Sequence, residues 1–322
     1  MSRKQMQILL ILSAIAAALG ILLAILSREP SAPAAQMLLP DNSPLRAIHY
    51  ANKDGAVCLE LDGETWKLSD DDAFPVSQQA AQALAQALLQ ASIDQQLTPD
   101  STDTLAQYGL EQPQCEIEAF FEDGAQHRLL IGSMNAATEQ LYVQLDSQQA
   151  LYLTAPALLQ AFSVGLLDLM ELPQIPKPDE PQRVELVNEA GTIVLSCVGR
   201  ETQLENGVWG LQTEDGFVPV DSSAAYNLYA LCRDLRWRGC AAYLAGRQTL
   251  ADCGLAAPRA MYTLFYSDND QDVSFTLSFG NALPDGSCCA ACADDGSVYL
   301  LDEIAASWLS SLRAEDFPPA AS

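Results

Sequence analysis

Leu105-Ala106-Gln107-Tyr108-Gly109-Leu110-Glu111-Gln112-Pro113 returns 145 positions later as Leu250-Ala251-Asp252-Cys253-Gly254-Leu255-Ala256-Ala257-Pro258. The frame Leu-Ala-x-x-Gly-Leu-x-x-Pro is kept while the residues between change. With small insertions the match extends both ways: Trp66 aligns with Trp209, Pro75 with Pro219, Gly132 with Gly280, and Tyr152 with Tyr299. Self-similarity at a fixed spacing marks a structural unit that occurs more than once. Two copies are expected, over residues 46–170 and 183–317.

Each copy reads as the same series of elements. Residues 46–52 and 56–61 alternate around the Lys53-Asp54-Gly55 turn, as 183–188 and 192–198 do around Glu189-Ala190-Gly191. A third strand carries the tryptophan, over 65–68 and 208–211. Ser77 and Asp221 offer side-chain oxygens to the amides of a helix start. Ala81, Leu84, Leu88 and Ala91 form one apolar helical stripe; Ala225, Leu228, Leu231, Cys232 and Leu235 form its counterpart. A short second helix stops at Gly109 or Gly254, where a left-handed cap favours glycine. Four strands follow, near 115–121, 126–131, 140–145 and 149–153 in the first copy. Thr154 with Pro156, and Asp302 in the second copy, open a closing helix. The fold class is therefore α+β: a transmembrane helix, then two tandem copies of an antiparallel-sheet-plus-helices unit.

The rest of the chain frames these copies. Residues 5–27 carry no charge and are mostly Leu, Ile and Ala, and a helix of that length, about 34 Å, crosses a ~30 Å hydrocarbon core. Arg3 and Lys4 precede it, so residues 1–6 are expected in the cytoplasm, 7–27 in the bilayer and the remainder outside the cell membrane. A cleaved signal peptide fits less well, because the apolar run is long and Ala32-Pro33-Ala34 is a poor cleavage site. Ala16, Gly20 and Ala24 would line one helix face, where small residues allow close packing; alanine-rich filler is the preferred reading. Four prolines make residues 28–45 an extended tether, and four more make 171–182 a stiff linker. Residues 318–322 form a tail.

The tryptophan strand, the Leu-x-x-Tyr/Cys-Gly-Leu-x-x-Pro signature, the strand ending in Gly132 or Gly280 and the Tyr-Val…Leu-Tyr-Leu strand pair resemble the bacterial domain-of-unknown-function family numbered 4340. The resemblance covers both copies, and its motifs are structural punctuation. It implies a membrane-anchored protein without established catalytic residues, of a kind that often accompanies ABC-type transporter components, including those linked to gliding motility. Cys288-Cys289-Ala290 stands where the first copy has Leu141-Tyr142-Val143, which puts a site shared by both copies in doubt.

Chemistry is sparse. The only histidines, His49 and His127, fall in separate strands, and the Ser-x-x-Lys, P-loop, Gly-x-Ser-x-Gly and Gly-x-Gly-x-x-Gly patterns are absent. No catalytic residue and no cofactor is assigned. Cys288, Cys289 and Cys292 resemble a metal cluster at first, but alternation along a strand sends Cys289 to the face opposite Cys288 and Cys292; buried thiols are preferred. A Cys232–Cys240 or Cys240–Cys253 bridge is left open. Asp268, Asp270 and Asp272 copy the first three ligands of a calcium loop, yet Val273 and Phe279 occupy the positions that need glycine and glutamate. Solvated turn carboxylates are the preferred reading. Tyr142, Tyr152, Tyr226, Tyr229, Trp237 and Trp308 offer either a recognition surface or core.

Sixteen Lys and Arg stand against 42 Asp and Glu, a net charge of −26. That balance excludes nucleic acid as the main partner. With 49% hydrophobic residues the chain packs rather than staying disordered. The function expected is that of a non-catalytic, membrane-anchored extracytoplasmic binding or scaffold protein. Its partners would be the bilayer, through residues 7–27, and the proteins of an envelope complex of the ABC-transporter type. The alternatives are a surface module binding cations or polysaccharide through acidic turns, and an envelope hydrolase centred on His49 or His127.

Overall fold

The computed structural model describes residues 36–39, 43–99, 104–179, 181–198, 208–269, 271–292 and 296–320. The expected anchor, with Ala16, Gly20 and Ala24, lies outside them. Among the described residues no helix is long and apolar enough to cross a membrane. The fold is mixed α+β with antiparallel sheets.

In chain order the first strands are β1 (Gln36–Met37), β2 (Leu45–Asn52), β3 (Gly55–Asp62), β4 (Thr65–Leu68), β5 (Ser92–Ile93), β6 (Gln95–Leu97), β7 (Cys115–Phe121), β8 (Gln126–Met134), β9 (Leu141–Leu145) and β10 (Leu151–Thr154). There follow β11 (Pro181–Asn188), β12 (Gly191–Val198), β13 (Val208–Thr213), β14 (Gly216–Pro219), β15 (Gly239–Ala242), β16 (Ala260–Asp268), β17 (Gln271–Ala282), β18 (Ser287–Cys292) and β19 (Val298–Asp302). One sheet has the order β4-β3-β2-β7-β8-β9-β10-β6, the other β14-β13-β12-β11-β16-β17-β18-β19-β15. The second sheet thus repeats the first strand for strand and adds β14 at one edge. By contacts the chain divides into two compact units, Met1–Lys53 with Ala83–Ser163, and Asp54–Gln82 with Val164–Ser322.

The strands form because their residues alternate. In β7 the side chains of Cys115, Ile117, Ala119 and Phe121 are buried while those between are half-exposed, which is the period of a sheet with one face covered. In β16 the same face is made by Ala260, Tyr262 and Leu264. Each fully buried Leu or Ile contributes about 1.5–3 kcal/mol.

In the second unit, the helix Ser222–Arg233 leaves the β14 edge and delivers the chain to β15 at the opposite edge. It buries Ala225, Leu228, Tyr229 and Cys232, and Asp221 caps it by accepting from the Ser223 amide at 2.8 Å. The closing helix Glu303–Ser311 is capped by Asp302, which accepts from the Ile304 amide at 2.8 Å, and packs on β11, β16, β18 and β19. The edge strands β6 and β15 are not evident from sequence, since Gln95–Leu97 and Gly239–Ala242 have no alternation of their own.

Two of the stretches expected as connectors belong partly to the fold. In the tether, β1 pairs with β5, the Leu38 amide donates to the Ala91 carbonyl at 2.7 Å, and Leu38 and Leu39 are buried. The apolar Met37-Leu38-Leu39 run is the cause. In the linker, the Trp237 indole donates to the Pro173 carbonyl at 2.6 Å, and the Tyr229 hydroxyl donates to the Pro178 carbonyl.

Candidate functional site

The repeat signature is a lock between a loop and a bulged strand. Gly109 has φ +71° and Gly254 φ +74°, a left-handed conformation that costs other residues about 1–2 kcal/mol. In each copy the turn closes the same way: the Leu110 amide donates to the Leu105 carbonyl at 2.9 Å, and the Leu255 amide to the Leu250 carbonyl at 2.8 Å. Register shifts mark a bulge between Ile131 and Met134 on β8, and between Phe279 and Ala282 on β17. A Cβ on Gly132 would lie 2.1 Å from the Tyr108 carbonyl oxygen, and one on Gly280 2.1 Å from that of Cys253. Past Pro113 and Pro258 the chain re-enters the sheet through Gln114 and Arg259, whose amides donate to the Ile131 and Phe279 carbonyls. Trp66 and Trp209 are buried; the Trp66 carbonyl accepts from Gln78 at 2.9 Å, and the Trp209 carbonyl from the Val220 amide at 2.9 Å.

A second lock was not foreseen. Asn52 Nδ2 donates to the Phe162 carbonyl at 2.8 Å, and Asn188 Nδ2 to the carbonyls of Leu309 and Leu312 at 3.0 and 2.8 Å. In each copy the asparagine ending the first strand ties down the end of the closing helix. Its signal was available: both strands end in asparagine, just before the turn.

The residues proposed for chemistry are kept apart. His49 lies opposite Glu118 on β7, and His127 opposite Ala119. Successive residues of a strand point to opposite faces, so the two histidines do as well. His127 Nδ1 lies 2.7 Å from an Asp146 carboxylate oxygen. His49 packs on Phe120, with ring centroids 4.6 Å apart. None of the nine cysteines forms a disulfide. Cys288 neighbours Arg259 and Glu303, whereas Cys289 neighbours Cys253. Burial, helped by the Cys253 thiol, pushes the Cys289 thiol up to about 12, and burial does the same for Cys115. Such thiols stay protonated and poorly nucleophilic at neutral pH.

The acidic hairpin does not gather its carboxylates either. Asp268 pairs across the strands with Gln271, and Asp272 with Ser267, so Asp268 and Asp272 point to opposite faces. Asp270 lies outside the described residues. Among the described residues no three metal-binding side chains converge.

What the second unit does present is an open trough between its two long helices. A hollow of about 720 Å³ is floored by Ala230, Leu231, Leu235, Ile304 and Ala305, and ends at Arg236, Trp237 and Arg238. Asn227 joins it to a smaller hollow of about 380 Å³ beside Ala224, Trp308 and Leu312. At the other end Leu235, Arg236 and Trp237 border a third hollow that Lys177 also lines. Ile304 is 79% exposed and Trp308, one turn on, 37%. Trp237 is held on Tyr299 with ring centroids 4.9 Å apart.

Charges of both signs line the trough: Asp234 and Asp302 stand beside Arg236 and Arg238, and Asp316 borders the smaller hollow. Arg236 Nη1 donates to the carbonyl of Arg233, the last residue of the helix, at 3.3 Å and to that of Leu235, just beyond it, at 2.7 Å. Arg233 pairs with Asp234 at 3.5 Å, and Asp302 is occupied as a cap. Arg236 and Arg238 are exposed, and the Asp285 carboxylate, held below its ordinary range chiefly by its hydrogen bonds from Ser287, also feels Arg238. Of the six aromatics, Tyr229 and Tyr152 are buried, while Tyr226 and Trp308 reach solvent. Leu231, expected in the core stripe, is half-buried and floors the trough.

Two antiparallel sheets of matching strand order, glycine-locked loops and an open trough are what the described residues present. Residues 66–258 match the family described as Domain of unknown function (DUF4340), and the chain belongs to it. The matched span opens at the tryptophan of the first copy and closes at the signature proline of the second. No curated protein and no solved structure matches the chain.

Proposed function

We propose that this protein is a non-catalytic, membrane-anchored binding or scaffold protein. Residues 7–27 hold two copies of one α+β unit outside the cell membrane, where they serve as an accessory part of an envelope complex of the ABC-transporter type. The single observation that carries the docking role is the trough of the second unit. Apolar side chains as exposed as Ile304, beside Trp308, favour a surface that a partner covers. Confinement to the membrane raises the effective concentration of such a surface for membrane partners. The opposed histidines and protonated thiols give a hydrolase reading no support.

Gentle crosslinking in intact membranes, detergent extraction and affinity recovery test this role. A reproducible membrane-protein partner is expected, and repeated recovery of the chain alone overturns it. Protease added to cells with a permeabilised outer layer and an intact inner membrane should digest residues 46–322. Their survival overturns the topology.

A further inference from the structure

We propose that Cys253 and Cys289 form a modification site, at which a small disulfide of the glutathione type oxidises the pair to a disulfide that fastens the signature loop of the second copy to β18. The docking role proposed above does not enter into it.

Backbone geometry brings the two residues together. The Cys253 carbonyl accepts from the Asn281 amide at 2.7 Å, so the loop is tied to the bulge of β17. On β18, Ala290 pairs with Phe279 and Cys288 with Ala282, which leaves Cys289 opposite that bulge. In the first copy the aligned positions hold Tyr108 and Tyr142, whose ring centroids are 4.9 Å apart. Side chains at these two places therefore meet whatever their chemistry. Thiols reach less far than phenol rings, yet the Cys253 thiol is a hydrogen-bond neighbour of the Cys289 thiol. Side chains that short touch only when their Cα atoms approach the roughly 4.4–6.8 Å that a disulfide spans. Alternation sends the adjacent Cys288 to the other face, toward Arg259 and Glu303. Of the other cysteines weighed for a bridge, Cys232 meets Tyr262, and Cys240 donates to the Val298 carbonyl at 3.5 Å.

Exposure assigns the roles. Cys253 is half-buried and open to the donor, whereas Cys289 is buried. The Cys253 thiolate attacks one sulfur of the donor; that S–S bond breaks, one donor thiolate leaves, and a mixed disulfide forms on Cys253. Cys289 then gives its proton to water, and its sulfur attacks that of Cys253 and expels the second donor thiolate. Two protein thiols are oxidised while one donor disulfide is reduced to two thiols, so the electrons balance. Burial and the Cys253 thiol both hold the proton on Cys289, which makes the second step the slow one. The mixed disulfide removes the second of those holds. The finished bridge closes a chain loop containing β16 and β17, and such cross-links stabilise mainly by restricting the unfolded chain.

The experiment uses the full chain, reduced, in neutral detergent micelles, with oxidised glutathione as the probe. Acid quenching, blocking with N-ethylmaleimide in denaturant and peptide mapping by mass spectrometry read the outcome. The Cys253 and Cys289 peptides should be joined and short of two hydrogens, with the remaining cysteines blocked. Cys289→Ser should stop at glutathione on Cys253, and Cys253→Ser should leave Cys289 reduced. The urea midpoint of the unaltered chain should rise on oxidation and return with dithiothreitol, and neither variant should show that shift. Melting of the reduced variants checks that they fold, and the map of the unaltered chain decides without them. A bridge from Cys253 to Cys240 or Cys288, glutathione persisting on Cys253 beside a reduced Cys289, thiols that react only once the chain is unfolded in urea, or a midpoint lowered by oxidation would each overturn the proposal.

Discussion

At the same place in the two sheets, one copy sets two tyrosines and the other two thiols. Tyr108 and Tyr142 meet edge to face with centroids 4.9 Å apart, and Cys253 and Cys289 neighbour each other at the aligned positions. The backbone around them is unchanged: both loops close on a left-handed glycine and press on a bulge glycine with the same 2.1 Å allowance. The unit is therefore specified by its backbone locks, and the side chains beside them are free to diverge. The helices diverge most. The first copy closes with the five-residue helix Ala157–Ala161, the second with the nine-residue Glu303–Ser311, and the trough belongs to the second.

The sharpest way to break this comparison is to fill the bulge. Gly132→Ala and Gly280→Ala each push a methyl into a backbone carbonyl, and each should cost about 3 kcal/mol or more in urea unfolding, a value typical of core overpacking. A large loss in one copy and none in the other would mean that the locks are not equivalent. The asparagine ties come next. Asn52→Ala and Asn188→Ala each release the end of the closing helix of their copy and should each cost about 1–2 kcal/mol; a loss in only one copy would show that the ties are not equivalent. Smaller again is the second copy's own pairing of Arg259 with Glu303, which is bidentate and partly exposed. Glu303→Gln should cost about 1 kcal/mol, weakened by salt, whereas Gln114→Ala at the aligned position of the first copy should be insensitive to salt.

The thiols have the least effect at neutral pH and reveal themselves only in alkali. Folded Cys115 and Cys289 hold their protons to about 12, whereas the ordinary thiol value is 9.0. A folded value above the unfolded one leaves stability intact below pH 9. Stability is then lost between pH 9 and 12, as unfolded thiols ionise first. Urea midpoints at pH 8 and 10.5 should therefore fall with rising pH, less steeply in Cys115→Ala. In native protein at pH 7, iodoacetamide should leave both residues unlabelled.

Most of the sheet was legible because its strands alternate and its turns carry glycine at repeated positions. The stripe Ala81, Leu84, Leu88 and Ala91 is buried as its spacing predicts, and Asp221 and Asp302 cap the helices that they precede. What escaped has physical reasons. Leu231 shares its spacing with core residues, and only the position of the closing helix leaves it on the trough floor. Arg236 and Arg238 sit in a connection too short to show a pattern; their signal was basic density in an acidic chain. The edge strands β6 and β15 are recruited by their neighbours β10 and β19 rather than by their own residues. Asn52 and Asn188 read as turn formers, and their second task depends on a helix more than a hundred residues away.

The clasp on the proline-rich segment has a mechanical consequence. Tension arriving along the backbone toward β11 meets the Trp237 indole at Pro173 and the Tyr229 hydroxyl at Pro178 before it reaches Pro181. Those two contacts pass the pull to the helix Ser222–Arg233 and the loop after it before it reaches the first strand of the second sheet.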